Sequence, residues 1–392
     1  MLRIFPVLLV WLLSLLSSYA VQKFTIKDSR TLTGHIRYVV AKQAYIVGEN
    51  GVTYKVALKD LDPQSLVYVN GWIRSKGGDD NYASWIDTSG RGFSASWPRT
   101  VYAPTRIDIQ AKYQEFKKGH YVYESTHYRF VSDAKLEPKV VQRFAVLFET
   151  TYEYVMELPL NASGRYLEKE EKFKIYLFGN YRNYVRAGGS PGSAGVYLPR
   201  TQMVMVPLEM LGLEDRGGEW VYVKDVSNKV LAHELQHQLT GGTRFPAWYI
   251  EGSAEYVAST RYTHGAYHVV NGKTRMFDYV RDKDGLADGS GRRLGGRIAM
   301  MPLEQFMDLN YQNFSRGRVH ENYAVALMLT YFFYHEDGNG DAAGMKAYIK
   351  ALQKGKVEKE ARKHLLRGRT HAELQEQFRR FCSTGGIAVE FP

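Results

Sequence analysis

The stretch "VLAHELQHQLTGGTRFPAWYIEGSAEYVAS", Val230 to Ser259, constrains the fold of this chain more than any other. It reads as two short helices in succession. The first carries His233, Glu234 and His237, and the second carries Glu251 and Glu255. Residues four apart on a helix lie on one face, so the two imidazoles point the same way while Glu234 projects about 100° around. Leu231, Leu235 and Leu239 form an apolar stripe that has to be buried. Ser227 is a candidate N-cap for the first helix and Gly241-Gly242 its stop, and the tight turn "TGGTRFPA" returns the second helix alongside. Any fold that accepts this segment must bury a pair of helices together with their imidazoles and carboxylates.

Two histidines at i, i+4 can chelate one zinc ion, and a glutamate between them reaches a water on the metal. A catalytic zinc takes three protein ligands and keeps one position open, so a third ligand is needed. The metzincin continuation would place Gly and His where Thr240 and Thr243 stand. Glu251 is the better candidate, because Pro246 opens its helix and Gly252-Ser253-Ala254 behind it are small enough to let two helices approach. Glu255 lies one turn further on the same face and is the candidate for accepting the free N–H of a ligating histidine. With Trp248, Ile250, Tyr256 and Val257 around them, these carboxylates sit on too apolar a face to be a solvated one. A hydrolytic oxyanion needs a donor beyond the metal. Tyr323, at the start of the apolar helix in "RVHENYAVALMLTYFF", is the candidate catalytic hydroxyl; His320 is an alternative, and His264 and His268 remain open.

The rest of the 392 residues frames this pair. "MLRIFPVLLVWLLSLLSSYA" has Arg3, an apolar run from Ile4 to Leu16, and the small residues Ser18 and Ala20. The run is shorter than the ~20 residues of a membrane span. It predicts a signal peptide over residues 1–20, a secreted or periplasmic protein, and no stable membrane anchor after cleavage. Residues 22–72 alternate apolar and polar positions between the turns "DSR", "GENG" and "LDPQS", which predicts three or four antiparallel strands in a small β-barrel-like module, closed by a short helical turn. "RSKGGDDNYAS" opens a linker and extended segment over 73–118, and the main domain follows over 119–392. There strands come first and helices dominate afterwards, an α+β plan.

Other signals exclude more than they offer. "GGSPGSAG" lacks the Lys-Ser/Thr that ends a phosphate-binding loop. "DGNGD" from Asp337 misses a calcium loop, with Ala342 where the turn glycine belongs and Tyr348 where the closing glutamate belongs. Cys382 stands alone, so there is neither an internal disulfide framework nor a four-cysteine zinc site. The net charge of +11 reads first as a generally basic, soluble surface; an acidic polymer or an envelope surface is the partner it would suit, and no nucleic-acid motif accompanies it.

"HELQH…WYIEGSAEY" resembles the gluzincins, the peptidase MA-like zinc metallopeptidases, in their secreted bacterial type, and the resemblance extends over roughly residues 120–392. Residues 22–72 resemble the small β-barrel homology module that precedes hydrolase domains in some secreted bacterial proteins. The resemblance implies a zincin-like domain, His233, His237 and Glu251 as zinc ligands, and Glu234 as general base. It also implies that "AGVYLPRTQMVMVPL" supplies an edge strand for a peptide. The expected function is therefore a secreted zinc-dependent peptidase acting on peptides or proteins. The alternatives are a zinc hydrolase of a non-peptide amide, such as a cell-wall or glycan substituent, and a non-catalytic binding protein on a protease fold. An intact Glu234 counts against the last, since a silent site needs no base.

Overall fold

The computed structural model describes residues 21–40, 43–75, 93–112, 119–160, 172–223, 228–240, 245–281, 292–353 and 356–392. The expected signal peptide, the Ser227 cap and the Gly241-Gly242 stop lie outside these residues. Among the described residues no helix is long and apolar enough to cross a membrane. The described residues divide into two units, 21–75 with Gln353, and 93–352 with 356–392.

The smaller unit is an antiparallel meander in the order β1-β2-β3-β4: Gln22–Thr25, Thr31–Val40, Gln43–Gly48 and Thr53–Ala57. Helix α1, Pro63–Ser75, follows and is longer than the single turn the sequence predicts. Asp62 caps it, accepting the Ser65 amide at 2.8 Å, and Pro63 gives up no amide that the first turn would use. Val69 and Ile73 of α1 pack with Phe24, Ile36, Ala44, Ile46 and Val56 of the strands. Among the described residues no pairing joins β1 to β4. Among these residues the strands of the expected β module form one all-antiparallel sheet, whose apolar side chains are buried against α1.

The larger unit is built on a six-stranded sheet ordered β10-β11-β9-β8-β7-β6. Its strands are β6 (Gln110–Lys112), β7 (Tyr121–Glu124), β8 (Tyr128–Ser132), β9 (Phe173–Phe178), β10 (Val196–Leu198) and β11 (Met203–Pro207). The centre, β8-β9-β11, is parallel, and β10 runs antiparallel at the edge. Helix α2, Pro138–Glu157, lies between β8 and β9 in the chain, and Phe144 and Phe148 pack on Phe130 of β8. A short helix α3 (Tyr181–Arg186) follows β9.

After the sheet come a hairpin, β12 (Leu213–Arg216) with β13 (Glu219–Tyr222), and then α4 (Lys229–Thr240) and α5 (Ala247–Ser259). A second hairpin, β14 (Arg261–Thr263) with β15 (Ala266–His268), takes β5 (Thr100–Tyr102) as its third strand. Helices α6 (Gly272–Arg281), α7 (Leu303–Met307), α8 (Tyr311–Phe314) and α9 (Val319–Tyr331) lead into a π-helical turn, Phe332–Glu336. With 45% helix and 23% strand, and strands clustered before helices, the architecture is α+β. Strands β5 and β6 fall in the segment expected to link the two parts, yet both join sheets of the larger unit. The partner of β5 lies more than 160 residues on, at Ala266–His268, which no local pattern in the sequence reveals.

Gly252 sets the packing around α5. A Cβ there would sit 2.2 Å from Thr330 Oγ1 and 2.4 Å from the Ala326 carbonyl oxygen, both on α9. Gly252 therefore serves a backbone-close crossing with α9, while α5 also lies alongside α4.

Candidate metal centre

Helix α4 sinks its apolar stripe fully: Leu231, Leu235 and Leu239 are all buried. Gln238 fixes its axial position, donating to the Lys174 carbonyl at 2.9 Å and to the Gln202 carbonyl at 3.0 Å. These bonds tie the helix to β9 and to the β10–β11 turn. His233 and His237 are also buried, at 8% exposure each, on the face turned toward α5.

From α5, Glu251 meets both imidazoles. Its Oε2 lies 3.2 Å from His233 Nε2 and 3.3 Å from His237 Nε2, and the two nitrogens are 2.9 Å apart. Glu255 Oε1 lies 2.8 Å from His233 Nδ1, so the far side of that ring faces a carboxylate. Arg292 grips Glu255 with a two-toothed contact: Nε donates to Oε2 at 2.8 Å, and a terminal nitrogen donates to Oε1. The same guanidinium stands 4.7 Å over the Tyr323 ring. Tyr323 in turn lies 5.8 Å, ring to ring, from His233 and 5.6 Å from Phe314. His233, Glu255, Arg292 and Tyr323 thus close a ring of contacts beside the site.

Glu234 faces the sheet edge, where its Oε2 accepts the Tyr197 backbone amide of β10 at 2.7 Å. Gly195 lies just before that strand, and a Cβ there would come within 3.9 Å of Glu234 Cγ. A second tyrosine, Tyr311 on α8, reaches the site from the open side. The residue is half exposed, but burial of its hydroxyl and the charges of Glu251 and Glu234 push its ionisation upward.

The electrostatics follow from these contacts. Burial works against ionised Glu251, but the facing imidazoles more than offset it and hold the carboxyl well below its usual range. Burial would likewise lower His233, yet Glu251 and Glu255 raise it to about 10. Glu255 falls to about 2 despite burial, held there by Arg292 and His233. Burial, reinforced by Glu251, pushes Tyr323 upward, so its hydroxyl stays protonated and remains a donor at any physiological pH.

His233, His237, Glu251, Glu234, Glu255 and Tyr323 are brought together as the sequence predicts. The other histidines are not. His320 is exposed, His264 sits at the tip of the β14–β15 hairpin with φ near 50°, and His268 Nε2 pairs with Thr263 Oγ1 at 3.0 Å. The sequence reading missed Arg292, Tyr311 and the Tyr197 amide. The first two lie on segments with no periodic pattern, and a backbone amide leaves no signature at all.

The donor set passes a test for a metal ion. Neither oxygen of Glu251 has a hydrogen-bond partner, although the residue is fully buried. Its oxygens meet the two imidazoles without a hydrogen bond of good geometry, and a metal ion would satisfy the carboxylate and both nitrogens at once. Donors around a tetrahedral ion bonded at about 2.0–2.1 Å stand roughly 3.4 Å apart. The observed 2.9, 3.2 and 3.3 Å ask the nitrogens to part by only a few tenths of an ångström. No protein-family model matches the chain, and no curated protein matches it either. What can be stated from the donors themselves is the class: a buried His-His-Glu group able to hold a metal ion.

Proposed function

We propose that the protein is an exported zinc-dependent peptidase of the gluzincin type, with a zincin-like catalytic domain in its larger unit. The observation that carries this reading is the unpartnered Glu251 carboxylate, which faces two histidine Nε2 atoms. One carboxylate oxygen and two imidazoles, once deprotonated, form a donor set suited to zinc, which takes water as a fourth ligand. Zinc bound there supplies Lewis acidity, drawing the pKa of water toward 7 and polarising a carbonyl.

The chain's own residues do the rest. Glu234, oriented by the Tyr197 amide, accepts the proton of the attacking water and passes it to the leaving amine. The outer edge of β10 offers backbone groups to an extended peptide, which favours a peptide over a glycan-borne amide as substrate. Tyr323 donates its hydroxyl to the developing oxyanion. Glu255, backed by Arg292, fixes the tautomer and tilt of His233. The charge of +11 supports an acidic polymer or envelope surface as a partner.

Elemental analysis and digestion of a peptide library by the purified protein test this function together. The expected result is one zinc per chain and peptide cleavage. Glu251→Ala should lose the metal, and Glu234→Gln should keep it while losing hydrolysis. Full zinc occupancy in Glu251→Ala removes that residue from the ligand set, and an active Glu234→Gln removes the proposed base.

A further inference from the structure

The three-stranded sheet β14-β15-β5 carries basic groups that meet no acid. Arg261 of β14 stands directly opposite His268 of β15, and His268 in turn opposite Thr100 of β5. Directly opposed residues share one face of a sheet, so these three side chains form a row. Arg261 and His268 also line a small cavity with Arg275 of α6, Ser259, Thr260 and Tyr331. Among the described residues no carboxylate lines it, and neither Arg261 nor Arg275 has a carboxylate within ion-pair distance. Thr263 Oγ1 lies 3.0 Å from His268 Nε2, and when the hydroxyl donates there the ring keeps Nδ1–H as a donor.

These placements are unfavourable as they stand. A cation on one strand gains when an acid opposes it on the next, and here a basic residue does. Arg275 is the fourth residue of α6, whose first turn holds no acidic residue. Cations are disfavoured at that end of a helix, where the backbone dipole is positive. The other cation of this turn, Lys273, is matched by Glu336 at 2.9 Å. Arg275 has no such match, and one bound oxyanion would relieve both arginines at once.

We propose that Arg261, His268 and Arg275 form a receptor for a phosphate group. The donors come from two strands and a helix, an arrangement that suits the splayed oxygens of a tetrahedral anion better than the two coplanar oxygens of a carboxylate. The cavity measures about 10 Å³, the space of one water-sized atom. It admits one phosphate oxygen with the rest of the group outside, so a phosphate carried on a chain fits as well as a free one. The receptor gives the acidic polymer of the proposed function a chemical group and a place, and rests on that reading for the polymer alone. It uses no zinc ligand and no residue of the peptide edge.

Calorimetric titration of the full chain with inorganic phosphate and with polyphosphate, in chelator at constant ionic strength, tests it. Chelator removes any phosphate held by a metal ion. Wild type should take up one inorganic phosphate. Arg275→Gln and Arg261→Gln should each weaken that binding about 10–100-fold, the loss expected for one charge-assisted hydrogen bond. Arg380→Gln, an equal loss of charge on the helix His371–Thr384, should leave it unchanged. Without phosphate, Arg275→Gln should melt no lower than wild type, since it removes an unmatched cation; a lower value would mark Arg275 as structural and overturn its role. No binding of inorganic phosphate, or equal binding by all four proteins, overturns the receptor, and Arg261→Gln decides alone should Arg275→Gln not fold. Polyphosphate separates the receptor from the partner reading. Inorganic phosphate bound without polyphosphate keeps the receptor and removes the polymer; polyphosphate bound equally by every variant does the reverse.

Discussion

His233, which is buried, and His335, which is half-buried in the π-helical turn after α9, both lie in the larger unit and contact α5, but their neighbours shift their ionisation in opposite directions. His233 faces Glu251 and Glu255 and is raised to about 10. His335 faces hydroxyls and aromatic rings and is lowered to about 4. Burial acts the same way on both, so the neighbours decide. Where rings and a phenol satisfy the imidazole, nothing further is asked of the site. Where carboxylates surround it and one of them has no hydrogen-bond partner, the site has donor capacity left over for a cation.

The sharpest test of the metal-centre half is Tyr323→Phe. If its hydroxyl serves the transition state, kcat should fall about 10²–10³-fold with little change in KM or zinc content. A kcat within about threefold of wild type would pass the role to Tyr311, whose hydroxyl faces the same carboxylates. Next comes Arg292→Gln, which leaves Glu255 without its cationic partner. Zinc affinity should drop about 10–100-fold, as for other residues that orient a ligand. In a Glu255→Gln background the same change should add little if Arg292 acts through Glu255. Additive losses would separate the two.

A third test sets the two histidines against each other in the metal-free chain. The folded value of His233, about 10, lies above its unfolded 6.5, so its stabilisation is complete below pH 6.5 and is lost as pH rises toward 10. His335 lies below 6.5 when folded, so stability is lost as pH falls from 6.5 toward 4. Glu255, lowered from 4.5 to about 2, adds a further loss below pH 4.5. Thermal melts in chelator should therefore peak near pH 6–7 and decline on both sides. Zinc should flatten the alkaline side, because metal binding favours the deprotonated imidazole. A melting temperature that stays level from pH 6.5 to 10 without metal would contradict the carboxylate-rich half of the comparison. The smallest effect belongs to His335→Gln at neutral pH, where stability should change by less than about 1 kcal/mol, since a neutral partner for Tyr256 is kept.

Much of the candidate metal centre was legible because its parts repeat at helical spacing. His233, His237, Glu251 and Glu255 all follow from i, i+4 geometry on two adjacent helices, and the Leu231, Leu235 and Leu239 stripe names the buried side. Arg292 and Tyr311 were not legible, because they arrive from later segments whose placement is a tertiary outcome. The same limit explains β5, which pairs with β15 across more than 160 residues. It also explains the meander of β1–β4, where alternation fixes strands and faces but not closure. His335 was hidden for another reason: π-helical winding departs from the 3.6-residue period on which every helical pattern rests.

The spacing of the donors also bears on the order in which the chain acquires structure. His233, His237 and Glu251 lie within 19 consecutive residues, so bringing them together closes a loop at an entropic cost of about 2–3 kcal/mol. Contacts this local form early and do not depend on the six-stranded sheet. Arg292 and Tyr323 lie 41 and 72 residues beyond Glu251, and Tyr323 must await the docking of α9. During synthesis, α4 and α5 leave the ribosome with all three candidate donors, well before Arg292 and Tyr323.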